Sequence, residues 1–110
     1  MRPFIITNHF KKQAKHYQKK YRQLLPDVVW ALENFDEPLA VSLGANVYKL
    51  RLRVSGLARG KSGSFRLLVL VVMPKKFIVP LTLYFKGDQN NITYQEIKRH
   101  LEAIEQELRL

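Results

Sequence analysis

The stretch that most constrains this chain runs from Tyr48 to Arg66, YKLRLRVSGLARGKSGSFR. Lys49, Arg51 and Arg53 fall at every second position, with Leu50, Leu52 and Val54 between them. A strand has a side-chain period of two, so the three cations share one face and the three apolar residues share the other. Gly56, Gly60, Ser62 and Gly63 then spell a loop that carries Arg59 and Lys61. Arg66 stands where a second apolar run begins. One face is expected to hold this piece to a core, and the other to present a row of positive charge suited to phosphates.

Charge across the whole chain supports that reading. Nineteen Lys and Arg stand against nine Asp and Glu in 110 residues, a formal +10. Such a surplus favours polyanions: nucleic acid, an anionic membrane surface or an acidic protein. The signs are also segregated. No Asp or Glu occurs between Pro38 and Gly87, while nine Lys or Arg do. Solvated surfaces usually mix their signs, so a block of one sign is informative. Apolar residues make up 46%, enough for one domain, expected over residues 1–110. Cysteine is absent, which excludes disulfides and cysteine-based zinc sites. No apolar run approaches a membrane span, and the polar residues after Phe4-Ile5-Ile6 leave no signal-peptide core. The expectation is a soluble cytoplasmic protein with no membrane partner.

Taken in order, Phe4 to Thr7 is a short strand candidate, and Thr7 or Asn8 can cap the helix that follows. Phe10, Ala14, Tyr17 and Tyr21 recur at helical steps among Lys11, Lys12, Lys15, Lys19, Lys20 and Arg22. Pro26 suits the first turn of a second helix, with Asp27 at its positive end. Val28, Ala31, Leu32 and Phe35 form its buried stripe, with Trp30 at the side. Ser42, Gly44 and Asn46 mark a turn. Phe65 to Met73 is nearly all apolar and predicts a central strand. In Phe77 to Lys86, Phe77, Val79, Leu81, Leu83 and Phe85 alternate with Ile78, Pro80, Thr82, Tyr84 and Lys86. Pro80 cannot donate to a ladder, so a bulge or a gap in pairing is expected there. Thr93-Tyr94-Gln95-Glu96 fits a capping box, followed by Ile97, Leu101, Ile104 and Leu108 on one helical face. The predicted fold is α+β: a small antiparallel sheet with an N-terminal αα-hairpin and a C-terminal helix, in the order β-α-α-β-β-β-α.

In these features the chain resembles the RelE/HigB branch of the RelE/ParE toxins of bacterial toxin–antitoxin systems. The residues that carry the likeness are Leu43-Gly44, Tyr48-Lys49-Leu50-Arg51, Gly60-Lys61-Ser62-Gly63 with Arg66 after it, and Leu83-Tyr84-Phe85-Lys86. Phe10 and Lys19-Lys20-Tyr21 between the two helices add to it. The Gly-Lys-Ser-Gly loop is not a P-loop, since the preceding glycine spacing is wrong and no helix follows. The resemblance implies a toxin that cuts messenger RNA on the ribosome and is silenced by an antitoxin protein, with DNA met only through an antitoxin complex. A ParE-like inhibitor of DNA gyrase is the alternative, and a non-catalytic RNA- or ribosome-binding module is a third class.

Such cleavage needs a base for the 2′-OH, stabilisation of the charged transition state and an acid for the leaving oxygen. His9, His16 and His100 all lie outside the cationic block and read as surface or helix-packing residues. The block has no carboxylate to hold a metal, and no cofactor is expected. The expected catalytic residues are therefore Lys49, Arg51, Arg66, Tyr84 and Lys86. Lys49 and Lys86 are candidates for proton transfer, because a lysine can become neutral near working pH. Arg51 and Arg66 are the candidate phosphate clamp. Arg53, Arg59 and Lys61 are expected to hold RNA backbone, and Tyr94 to stack on a base. This division assumes that the strands of Lys49 and Lys86 are neighbours.

Overall fold

The computed structural model describes residues 3–54 and 65–110. Three helices, α1 (Asn8–Gln18), α2 (Leu24–Glu33) and α3 (Tyr94–Leu108), surround strands β1 (Val41–Gly44), β2 (Val47–Leu52), β3 (Phe65–Val72) and β4 (Phe77–Phe85). The strands form one antiparallel sheet in the order β1-β2-β3-β4. The predicted α+β class and the αα-hairpin on one face are as observed. A single 3-10 turn, Glu37–Leu39, links α2 to β1.

Both ends of the helical set are capped by side chains. Thr7 accepts the Phe10 amide at 3.1 Å, satisfying a donor that the first turn leaves free. The first turn of α1 contains no acidic residue. Glu107 of α3 supplies the anion instead, its carboxylate accepting from the Asn8 amide at 2.7 Å and the His9 amide at 3.0 Å. The capping box of α3 is formed: Glu96 N donates to Thr93 Oγ1, and Thr93 N donates to Glu96 Oε1, both at 3.1 Å.

The sheet buries both faces. Against the first pack Phe10 and Ala14 of α1 and Leu24, Val28 and Leu32 of α2, over Leu52, Phe65, Leu67, Val69, Ile78 and Leu83. Phe65 is the hub, with the rings of Tyr17, Tyr21 and Phe85 at 4.9, 5.2 and 5.3 Å. Each such pair contributes on the order of 1 kcal/mol beyond buried area. On the second face Val47, Leu68, Val79, Leu81 and Tyr84 meet Ile104, with Ile97, Leu101 and Leu108 beside them. The cationic face expected to be open is thus half covered by α3.

Three local expectations change. Phe4 to Thr7 makes only one parallel bridge, Phe4 with Ile78, because Thr7 is already committed to capping α1 and the chain must leave the sheet edge. The Ser42–Asn46 turn region contains a short edge strand, β1. Its hairpin turn falls on Ala45 and Asn46, with φ of 53° and 64°, the left-handed pair that suits a two-residue hairpin. In β4 the alternation breaks. Val69 pairs with Pro80 and Leu68 with Thr82, leaving Leu81 as the extra residue of a bulge. Leu83 therefore packs under α1 and α2, while Val79 and Leu81 pack under α3.

Candidate nucleic-acid interface

Register brings the candidate residues into a row. Arg51 of β2 pairs with Arg66 of β3, and Arg66 pairs with Tyr84 of β4. Paired residues point to the same face with side chains roughly 5 Å apart at Cβ. The next row on that face toward β1 is Lys49, Leu68 and Thr82. The row beneath, on the opposite face, is Leu52, Phe65 and Phe85. Phe65 is fully buried by its ring contacts, so the backbone that carries Arg66 is anchored from below. A cationic row on rigid strands can hold anionic oxygens without reorganising to meet them.

Tyr84 is the buried end of the row, only 3% exposed. Its hydroxyl has no hydrogen-bond partner among the described residues. Burial raises its pKa, Arg66 opposes that shift, and Glu96 in the first turn of α3 adds to it. Tyr94 opens the same turn and is 79% exposed. Arg51 and Arg53 are exposed, and Lys49 and Arg66 are half-buried. Arg59 and Lys61 lie outside the described residues.

Lys86 sits differently from its expectation. It is the first residue of the turn after β4, so the strand pleat no longer sets its direction. β3 also separates β4 from β2. Four residues along and two strands across, the backbones of Lys49 and Lys86 stand about 17 Å apart, from ~3.4 Å per residue and ~4.8 Å per strand. The two lysines are therefore at opposite corners of the row, not in neighbouring strands.

Two features escaped the sequence reading. β1 pairs with β2 only as far as Lys49, and among the described residues no strand pairs with that edge of β2 at Leu50–Leu52. There Arg51, Leu52 and Arg53 line a cavity of about 370 Å³ with Asp27, Trp30 and Ala31 of α2. The signal was a tryptophan off the buried stripe of an amphipathic helix. The second is the clamp between α1 and α3. His9 Nε2 and His100 Nδ1 lie 2.7 Å apart, beside the Glu107 cap. His9, His16 and His100 were all expected as surface or helix-packing residues, and no local pattern pairs positions as distant in the chain as His9 and His100.

The family of RelE toxins, of the RelE/RelB toxin–antitoxin system, matches residues 1–109. The chain belongs to the RelE toxin family. Among solved structures, E. coli RelE in the free state, as an arginine-to-alanine double mutant, shares the fold. Its TM-score is 0.52 at 19% identity, over 91% of this chain and 97% of that one. A chain of the intact E. coli RelBE toxin–antitoxin complex gives a TM-score of 0.47 at 20% identity, over 76% of this chain and 94% of that one. No curated protein matches the sequence. In this RelE-family chain, no described helix is long and apolar enough to cross a membrane.

Proposed function

We propose that this RelE-family chain is a cytoplasmic endoribonuclease that cuts messenger RNA on the ribosome without a metal ion, and that a cognate antitoxin silences it. The observation that carries the proposal is the Arg51–Arg66–Tyr84 row, two guanidinium groups and a phenol in register on one sheet face. Two planar forks on adjacent strands suit a phosphate that gains charge in the transition state. Lys49, one row away, is the candidate to take the 2′-OH proton. Lys86 is the candidate to supply a proton on the far side, the buried Tyr84 stands beside Arg66 on the next strand, and Tyr94 can stack on a base. The ribosome supplies an RNA surface that the +10 chain approaches electrostatically. The antitoxin is expected to present an acidic segment to the cationic groove or to displace α3, with charge complementarity chiefly speeding association.

The test is induced expression with mapping of RNA ends. New 5′ ends within codons and arrested translation are expected. Intact messages during growth arrest would overturn the proposal, and loss of supercoiling activity would point to gyrase inhibition instead.

A further inference from the structure

Helix α2 buries Leu24, Val28, Ala31 and Leu32, and position 30 lies off that stripe. Yet position 30 holds the one tryptophan of the chain, 66% exposed. A lone exposed apolar residue needs no explanation. This one lines a cavity with two arginines, at the edge of β2 beyond the last β1 pair. One of them, Arg51, is also a member of the cationic row. Among the described lining residues two guanidinium groups stand with the carboxylate of Asp27.

We propose that Trp30, with Arg51 and Arg53, forms a subsite for one unstacked base of single-stranded RNA lying outside the cutting row. The inference rests on the reading of that row as an RNA site. An indole face binds any base by stacking, and neighbouring arginines hold the adjoining backbone. A cavity of about 370 Å³ offers volume enough for one nucleobase. Because Arg51 borders both places, a strand crossing the row reaches Trp30 by passing over the β2 edge. The subsite adds affinity and direction of threading, with little choice among bases.

Because Trp30 is the only tryptophan, its fluorescence reads this cavity alone. The wild-type chain is titrated with an end-labelled single-stranded 2′-deoxy oligonucleotide, which has no 2′-OH to react. Label anisotropy and tryptophan emission are followed together. The expected result is quenching that saturates along the anisotropy curve. Trp30→Ala should weaken binding about tenfold, the scale of one lost base–aromatic stack, with Trp30→Phe in between. Binding without quenching, or equal affinity for Trp30→Ala, overturns the subsite, as does failure of the oligonucleotide to bind. Quenching by an acidic peptide but not by the oligonucleotide also overturns it, in favour of a protein partner. Cleavage on programmed ribosomes by the unaltered chain is measured in parallel. If cutting occurs while emission stays flat, only the subsite falls; if cutting is absent, the RNA reading of the row falls.

Discussion

Arg51 and Arg66 face one another across the β2–β3 ladder, two cations in directly paired positions. Like charges so placed oppose folding by a few tenths of a kcal/mol or more. The arrangement favours an anion that binds between them. Alanine at Arg66 should lower cleavage on programmed ribosomes about one hundredfold, the scale for one lost transition-state donor. Ribosome binding should persist, since the remaining cations still hold the RNA backbone. Equal loss of binding and cutting would make Arg66 an anchor and not a clamp.

Tyr84 gives a second prediction from the same row. A buried hydroxyl with no partner among the described residues costs folding free energy, and phenylalanine keeps the ring without that cost. Tyr84→Phe should raise stability by about 1 kcal/mol in denaturant unfolding while reducing cleavage. That opposition would mark a group kept for chemistry at the expense of the fold. Unchanged or reduced stability would show that the hydroxyl finds a partner in solution.

Lys49 tests the assignment of the base. Lys49→Arg keeps the charge but removes a group that can become neutral near working pH. Cleavage should fall sharply with ribosome affinity retained. Cutting at the wild-type rate would leave Lys49 a purely electrostatic role and direct the search to Lys86 or to ribosomal RNA.

The α1–α3 clamp predicts loss of stability in acid. Burial lowers the pKa of His9, with Lys12 acting the same way and Glu107 against it. Burial also lowers that of His100, helped by His9 and Arg99 and opposed by Glu96. The unfolded chain, titrating at the ordinary 6.5, then binds more protons than the folded one as pH falls below that value. Stability should therefore decline from near pH 6.5 downward until the lowered folded values are passed. The carboxylates add a later loss. Glu107 and Glu96 are held below the ordinary 4.5, chiefly by the amides of Asn8 and Thr93. Their contribution is complete above that value and disappears as pH falls through their lowered folded values. Thermal unfolding measured across this range should show both stages, and His100→Gln should flatten the first. A first stage unchanged in that variant would remove the histidine pair from the account.

The element types were legible because local signals carry them. The period of two in β2, the helical steps in α1 and α3, the Thr93–Glu96 box and the break at Pro80 all involve residues a few positions apart. The direction of the bulge was less legible. Pro80 announced an irregularity, but the pairing of Leu68 with Thr82 decided which residue was extra and which face each later side chain took. The N-terminal strand failed for a local reason, since Thr7 serves the helix and cannot also extend the sheet.

The sequence by itself determined the chemical content of the site: a one-sign block, arginines and a lysine at alternate positions, and Tyr84 within a late strand. Only the tertiary structure decided which of these meet. Strand order put β3 between β2 and β4, so Arg66 became the centre of the row and Lys86 its remote corner. The docking of α3 closed over Tyr84, and β1 ended its pairing with β2 at Lys49, short of the cavity beside Trp30. Local patterns specify a face and a period. Register, strand order and helix docking depend on contacts between distant residues, which are settled only when the whole core packs at once.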